Sequence, residues 1–141
     1  MTSRPEEGGD FMRAKDIMTK GVITFPLDMS VPDAQQLLLR YRIHGAPVVG
    51  PDDQLVGSAS YVDLLGGSGE CVSDVMAPNP VCATEDTPVE KIASMMLERM
   101  VRRVPIVRNG RVVGIVTASD IIQLFVDLHE PPRPHRRVPA S

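Results

Sequence analysis

The chain has 141 residues, of which 43% are hydrophobic and 23% are charged, and its formal net charge is −3. This length corresponds to one domain, or to two very small halves that share one core, and such a chain needs neither disulfides nor metal to fold. Three Phe, two Tyr and no Trp, together with the acidic balance, argue against nucleic-acid binding, which needs positive charge and aromatic platforms. The core must therefore be aliphatic.

The cysteines and the absence of long apolar runs indicate a cytoplasmic protein that does not enter a membrane. No segment resembles a secretory signal, and no run approaches the roughly 18 apolar residues that a membrane span requires. Cys71 and Cys82 are too few for a disulfide scaffold and lack the spacing of a zinc site, so we expect free thiols and no metal. A redox role for either thiol stays open, because it depends on exposure and on the thiol pKa.

A tandem repeat organises the chain between its two ends. Asp16-Ile17-Met18 recurs 58 residues later as Asp74-Val75-Met76, and the match continues through both copies with one turn residue missing from the second. Asp63 and Asp120 therefore match at an offset of 57. The predicted organisation is a flexible tail at 1–13, the first repeat at 14–66, a flexible linker at 67–72, the second repeat at 73–126 and a disordered tail rich in Pro and Arg at 127–141.

Each copy begins with a short extended piece, Val22 to Phe25 and Pro80 to Ala83, which leads to a helix. Apolar residues then recur at helical spacing. They are Ala34, Leu37, Leu38 and Tyr41 in the first copy, and Ile92, Met95, Met96 and Met100 in the second. We interpret these faces as packing against the sister repeat. The methionine cluster leaves open an adaptable groove for a partner.

The helix starts carry capping residues. Ser30 is the predicted N-cap in the first copy. In the second copy Thr87 is the predicted N-cap, Pro88 takes the first helical position and Glu90 completes a capping box. Both copies thus predict a helix that begins directly after an extended segment.

Two strands and a second helix complete each copy. Asn109-Gly110 between two aliphatic runs predicts a tight hairpin, and residues 51–53 supply the longer turn of the first copy. A second helix begins after Ser60 and after Thr117. Each copy is therefore a β-α-β-β-α unit of the α/β (α+β) class, and neither unit can bury its apolar faces alone.

Gly57 to Asp63 and Gly114 to Asp120 are the stretches most able to carry a binding site. Each is the end of a strand that reaches Ser60 or Thr117 and then a helix with an aspartate three residues on. Free N–H groups and the positive end of a helix attract phosphate, and the carboxylate could accept hydrogen bonds from ribose hydroxyls. The alternative is helix capping alone, because a hydroxyl N-cap with aspartate at the third position satisfies these groups without a ligand.

The repeat with its two Gly-x-x-[Ser/Thr]-x-x-Asp stretches resembles a pair of CBS (cystathionine β-synthase) domains, together called a Bateman module, from about Lys15 to Phe125. The resemblance implies two pseudo-symmetric β-α-β-β-α repeats packed through their sheets, with two clefts between them. Clefts of this family bind AMP, ADP, ATP or S-adenosylmethionine, and the modules usually form homodimers. A regulatory ligand is implied, not a catalytic cofactor.

Carried over to this sequence, the resemblance implies one cleft around Asp120. Thr117 and Ser119 would lie near the phosphate, Asp120 at the ribose, and Arg103 would contact phosphate. The adenine pocket would come from the first repeat: Met18, Val22, Ile23, Ile43, His44, Gly45, Ala46 and Pro47.

The resemblance implies a mirror cleft around Asp63. Its residues would be Ser60, Asp63, Met76, Val81, Val101, Arg102 and Val104. The position that matches Arg103 is Gly45, so we expect this cleft to lack that cation and to bind more weakly. A charge-assisted hydrogen bond contributes about 1.5–3 kcal/mol.

The leading interpretation is a regulatory module that senses adenosyl ligands and signals to an unidentified protein partner by a conformational change. No catalytic residues are predicted, because no nucleophile elbow, P-loop or paired catalytic carboxylates are present. The alternatives are a purely structural dimerisation module with empty clefts, or a binder of another small anion. Nucleic acid ranks lowest, with the Arg-rich tail as its one supporting feature.

Overall fold

Two small sheets with their helices form the molecule, and the computed structural model describes residues 12–66 and 69–130. The first half contains α1 (Ala14–Ile17), β1 (Phe25–Pro26), α2 (Val31–Tyr41), β2 (Gly45–Val49), a 3-10 turn (Pro51–Asp53), β3 (Leu55–Ser60) and α3 (Tyr61–Gly66). The second half contains α4 (Val72–Val75), β4 (Ala77–Pro78), β5 (Ala83–Thr84), α5 (Val89–Arg99), β6 (Arg103–Arg108), β7 (Arg111–Thr117) and α6 (Ala118–His129). The predicted β-α-β-β-α order is confirmed in both halves.

The two sheets have the same pairing. In the first sheet β1 runs parallel to β2, β2 is antiparallel to β3, and β4 adds a fourth strand beside β3. In the second sheet β5 runs parallel to β6, and β6 is antiparallel to β7. Each extended segment contributes only two residues to its sheet, Phe25–Pro26 and Ala83–Thr84, so the strands lie at the C-terminal ends of the predicted pieces.

The hairpin of the second repeat has the predicted two-residue turn. Arg108 pairs with Arg111, and Asn109 and Gly110 between them both have positive φ, 53° and 82°. Positive φ at both positions is the requirement of a type I′ turn, which Asn-Gly satisfies at low cost. The additional residue of the first repeat is accommodated in the 3-10 turn.

The predicted caps are correct for α2 and wrong for α5. The Ser30 hydroxyl accepts a hydrogen bond from the Asp33 N–H at 3.1 Å. In the second repeat the Thr87 hydroxyl instead accepts from the Thr84 N–H at 3.0 Å. Because that hydroxyl closes the turn before the helix, α5 begins at Val89 with Pro88 as a cap that makes no side-chain bond.

The N-terminal segment of each repeat packs on the other repeat. The N–H of Ala14 donates to the carbonyl of Thr87 at 2.9 Å, and the equivalent N–H of Val72 donates to Met29 at 2.8 Å. Likewise the first N–H of α5, at Val89, donates to the carbonyl of Met12, as Val31 does to Glu70. The exposed N–H groups at each helix start are thus satisfied by backbone from the neighbouring segment.

We call residues 12–18 and 70–76 the exchanged segments, because each packs on the other repeat. Their first residues belong to segments that the sequence predicts to be flexible. Met12 and Arg13 pair with the second repeat, and Glu70 and Cys71 pair with the first. Helix α6 continues to His129, which includes the first residues of the predicted C-terminal tail. The remaining tail and linker predictions, residues 1–11, 67–68 and 131–141, lie outside the described residues.

The core consists of two apolar clusters, one for each sheet, and both are aliphatic except for Phe25. The first surrounds Phe25, Val48 and Leu64 and includes Val72 of the exchanged segment. The second surrounds Ile92, Ile106 and Val116 and includes Ala14 in the same way. The helical faces therefore pack mainly on the sheet of their own repeat.

Two of the residues predicted to be buried are exposed. Tyr41 is the last residue of α2 and Met100 follows α5, with exposed fractions of 48% and 90%. Met100 adopts a left-handed conformation, with φ of 56°, because it terminates the helix. Its side chain therefore leaves the apolar face that the spacing had predicted.

Candidate functional site

The site begins where β3 and β7 end and the following helices start. The Asp63 carboxylate oxygen Oδ2 accepts from the Ser60 N–H at 2.8 Å, and Asp120 Oδ2 accepts from the Thr117 N–H at the same distance. The hydroxyls of Ser60 and Thr117 accept from the N–H groups of the two aspartates. The capping interpretation of both stretches is therefore confirmed.

Capping leaves one oxygen of each aspartate available. Asp63 and Asp120 use Oδ2 for these bonds, and Oδ1 has no partner among the described residues. The helix N-termini are less available, since the N–H of Tyr61 donates to the carbonyl of His44 and the N–H of Ala118 donates to that of Arg102, both at 2.9 Å. Capping and ribose binding are thus compatible, while phosphate must be attracted mainly by side-chain cations.

The first glycine of each stretch, Gly57 or Gly114, lets a methionine pack closely against the strand. A Cβ on Gly57 would lie 2.5 Å from the sulfur of Met76, and a Cβ on Gly114 would lie 2.5 Å from the sulfur of Met18. Each methionine belongs to an exchanged segment and is half-buried. These glycines therefore serve packing, because only a residue without a side chain lets the methionine cross the strand.

Two cavities open between the repeats, and we name each after its aspartate. The Asp63 cavity has a volume of about 340 Å³ and the Asp120 cavity about 240 Å³. The Asp63 cavity is lined by Ala46, Pro47, Ser58, Ala59, Ser60, Asp63, Met100, Val101, Arg102, Arg103, Pro105 and Ile115. The Asp120 cavity is lined by Arg42, Ile43, His44, Arg102, Arg103, Thr117, Ala118 and Ser119, with Asp120 in the next position of α6.

Arg103 lies between the two cavities and lines both of them. Its Nη2 atom lies 2.6 Å from the point where a Cβ of Gly45 would be. Gly45 and Arg103 are equivalent positions of the two repeats, as are Gln54 and Arg111, which also meet, in an isolated β-bridge. Equivalent residues that touch lie beside the pseudo-twofold axis, so the Arg103 guanidinium lies beside this axis.

This position corrects one expectation from the sequence. The Asp63 cavity was expected to lack the Arg103 cation, because Gly45 replaces it in the first repeat. The structure brings Arg102 and Arg103 into that cavity as well. Gly45 therefore does not deprive the Asp63 cavity of the Arg103 cation, and the remaining difference is Arg42, which of the two cavities lines only the Asp120 cavity.

Arg103 is a half-buried cation without a carboxylate partner among the described residues. Burial lowers the pKa of its guanidinium, and the neighbouring charge of Arg102 lowers it further. A buried charge is normally paired with an opposite charge. The axis position is therefore a place where a bound anion would relieve an unfavourable electrostatic environment.

The other predicted site residues divide into those that line a cavity and those that do not. Ile43, His44, Thr117 and Ser119 line the Asp120 cavity, and Ser60, Val101 and Arg102 line the Asp63 cavity. Ala46 and Pro47, predicted for the Asp120 cleft, line the Asp63 cavity. Val22, Ile23 and Val81 are half-buried beside the sheets, and Val104 is fully buried in the second core cluster.

Sequence reasoning missed several lining residues. Arg42 and Met100 occupy equivalent positions at the left-handed ends of α2 and α5. The signal that could have found them is the repeat itself, because residues just before the predicted 43–47 and 101–104 loops face the same axis. Ser58, Ala59, Pro105, Ala118 and Ile115 were also missed.

Residues 14–69 and 72–127 each match the family model described as the CBS domain. The chain belongs to the CBS domain family. A CBS domain pair crystallised with 5′-methylthioadenosine and S-adenosyl-L-methionine is 33% identical, has a TM-score of 0.77 and covers 84% of this chain and 98% of its own. The CBS-pair protein CBSX2 of Arabidopsis thaliana, crystallised with AMP, is 28% identical with a TM-score of 0.79, and covers 84% of this chain and 98% of its own.

Relatives of known activity share only the CBS part. The inosine-5′-monophosphate dehydrogenase of Methanocaldococcus jannaschii is 36% identical over 114 residues, which are 79% of this chain and 23% of the enzyme. The chloroplastic CBS domain-containing protein CBSX1 of Arabidopsis thaliana is 30% identical over 166 aligned residues, 90% of this chain and 69% of that protein. The chain thus spans about a quarter of its enzyme relative.

Two further findings on the described residues concern membrane-spanning helices and clusters of metal-binding side chains. Between residues 12 and 130, leaving out 67–68, no helix combines the length and the apolar character needed to cross a membrane. Over the same residues no three His, Cys, Asp or Glu side chains cluster in a way that could hold a metal ion. Cys71 is half-buried and Cys82 is exposed, and both are free.

Proposed function

We propose that this CBS pair is a regulatory module that binds an adenosyl ligand between its repeats and signals to another protein. The observation that carries the proposal is Arg103, which is half-buried, has no carboxylate partner among the described residues and lines both cavities. Relatives crystallised with AMP and with S-adenosyl-L-methionine support an adenosyl ligand. The choice among AMP, ADP, ATP and S-adenosylmethionine is part of the proposal.

Each part of such a ligand has a matching group. The free Oδ1 of Asp63 or Asp120 would accept hydrogen bonds from the ribose hydroxyls. Arg102 and Arg103 would bind the phosphate, since charge-assisted hydrogen bonds are among the strongest in proteins. None of the described residues that line the Asp63 cavity is aromatic, so the base would be held by aliphatic side chains and backbone, with Met76, Val81 and Val101 near it. Met18, Val22 and Ile23 would do the same for the Asp120 cleft, and Val104 would contribute backbone only.

A ligand in this position can change the relative orientation of the repeats. The cavities are lined from both repeats, and a ligand shifts a conformational equilibrium by its different affinity for the two states. The chain would then act on a partner protein and not as an enzyme. A cytoplasmic location remains a prediction.

We further propose that the module forms a homodimer through its helices. Equivalent leucines of α2 and α5, Leu39 and Leu97, are 78% and 81% exposed. The exposed large hydrophobic residues of α3 and α6 include Tyr61, Val62, Leu65, Ile122, Phe125 and Leu128. Exposed apolar clusters of this kind are typical of interaction surfaces. The double variant Leu65→Asp with Ile122→Asp should reduce the mass measured by light scattering to that of one chain, and an unchanged mass would contradict this interface.

Calorimetric titration tests ligand binding. AMP, ATP, S-adenosylmethionine and adenosine are titrated against the wild type, Asp63→Asn, Asp120→Asn and the control Asp127→Asn. Asp127 is exposed on α6 and lines neither cavity, so the control removes the same charge away from the site. We expect each site variant to lose one binding event and the control to lose none. If the wild type binds none of these ligands, the module is structural or takes another anion.

A further inference from the structure

We propose that the two clefts share one cationic centre, so that an anionic ligand in one cleft weakens binding of a second anionic ligand in the other. An uncharged adenosyl ligand would not show this coupling. The inference rests on the proposed function, because it concerns how the same two clefts influence each other. It makes Arg103 the residue that couples them.

The first step of the argument is the position of Arg103. It extends from the start of β6 towards Gly45 at the start of β2, and both cavities are lined by it. If the first repeat also carried a long side chain at position 45, each cleft could have its own cation. Gly45 has no side chain, and the single guanidinium fills the space at the axis.

The second step concerns the other cationic side chains that line each cavity. Among the residues that line the Asp63 cavity, Arg102 and Arg103 are the only cationic side chains, and both also line the Asp120 cavity. Arg102 is exposed, so solvent screens it more strongly than the half-buried Arg103. The Asp120 cavity has Arg42 in addition. An anion in the Asp63 cleft therefore depends entirely on a centre that an anion in the Asp120 cleft also uses.

The third step is the effect on affinity. A guanidinium that is fully hydrogen-bonded to one phosphate cannot form the same bonds to another. Loss of one charge-assisted hydrogen bond corresponds to about a tenfold to hundredfold weaker affinity. We therefore expect the second AMP per chain to bind at least about tenfold more weakly than the same cleft binds AMP alone.

The experiment compares two clefts measured separately with the two measured together. Calorimetry with AMP on Asp120→Asn gives the affinity of the Asp63 cleft, and Asp63→Asn gives that of the Asp120 cleft. If the sites are coupled, the weaker step of the wild type is at least about tenfold weaker than the weaker of these two values. If the wild type shows simply the two separate affinities, the proposal is overturned, although AMP binding itself stands.

Adenosine and Arg103 variants show whether charge is the cause. Adenosine should bind both clefts with the affinities measured singly, and Arg103→Gln should weaken AMP binding and remove the coupling. Arg40→Gln is the matched control, because Arg40 is exposed on α2 and lines neither cavity; it should leave the coupling unchanged. Equal coupling for adenosine, or coupling that survives Arg103→Gln, would contradict the shared centre. Absence of any binding by adenosine and AMP would instead refute the proposed function.

Discussion

The substitution Gly45→Ala tests the packing around the axis most directly. A Cβ at position 45 would lie 2.6 Å from Arg103 Nη2, 2.9 Å from the carbonyl oxygen of Ala59 and 3.0 Å from the Cα of Ser60. The guanidinium can move away, but the two backbone atoms belong to β3, the partner strand of β2. The strand itself must therefore shift.

The expected cost follows from these contacts. Placing one methyl group into a closely packed site costs about 1–3 kcal/mol, which for a chain of this size lowers the melting temperature by roughly 3–10 °C. Displacement of Arg103 should also weaken AMP binding about tenfold in both clefts. Adenosine binding should change much less, because it does not use the guanidinium.

Thermal unfolding and calorimetry with AMP measure the two effects. Gly66→Ala is the matched control, since nothing lies within 4 Å of a Cβ at Gly66 and this residue ends α3; it should be neutral or slightly stabilising. The double variant Gly45→Ala with Arg103→Ala should recover part of the lost stability, because one of the three close atoms is removed. If Gly45→Ala melts like Gly66→Ala and binds AMP like the wild type, the placement of Arg103 against Gly45 is refuted.

Three further predictions concern the core, the exchange and acid sensitivity. Ile92→Ala should lower the free energy of unfolding by about 2–5 kcal/mol, because Ile92 is fully buried, whereas Ser94→Ala on the exposed side of α5 should change it by less than about 0.5 kcal/mol in urea denaturation. A fragment of residues 20–79 should be more helical by circular dichroism than a fragment of 14–66, since only the former contains Val72 of the first core cluster; equal helicity would contradict this. Hydrogen bonds from the N–H groups of Cys71 and Glu70 lower the pKa of Asp74, so its stabilising effect is present above the unfolded pKa and is lost as the pH falls through the folded one. Asp74→Asn should therefore destabilise the protein at pH 7 more than at pH 3, and an equal loss at both would be inconsistent with this reasoning.

The repeat made the fold predictable from local sequence. Asn109-Gly110 specifies its turn through backbone conformation alone, and Ser30 caps its helix with a bond to a residue three positions away. Such features need no knowledge of distant contacts. Thr87 was misread because its hydroxyl has two possible local donors. It accepts from the N–H of Thr84 in the turn, while the carbonyl of Met12 accepts from the first N–H of α5.

The site was only partly predictable because it depends on where the axis passes. The aspartates follow from the sequence motif, and each accepts the capping hydrogen bond that the spacing predicted, while their role toward a ribose stays a prediction. Arg103 was assigned to the Asp120 cleft alone, because the resemblance implied a phosphate contact for it there and the equivalent position of the first repeat is Gly45. A residue beside a pseudo-twofold axis can line both clefts, as Arg103 does. The sequence alone does not indicate which positions lie beside the axis.

The exchanged segments connect folding to the proposed binding. Each core cluster is completed by a helix from the other repeat's entry segment, through Ala14 and Val72, so neither sheet has its full core without the other. The cavities are formed by the same juxtaposition, because β2 and β6 meet at Gly45 and Arg103. A ligand that binds only the assembled pair stabilises it in proportion to the logarithm of its concentration over its dissociation constant. Ligand binding, the orientation of the repeats and the stability of both cores therefore all depend on the same interface between the repeats. That interface contains Arg103, a cation without a carboxylate partner in the part of the chain that the structure describes.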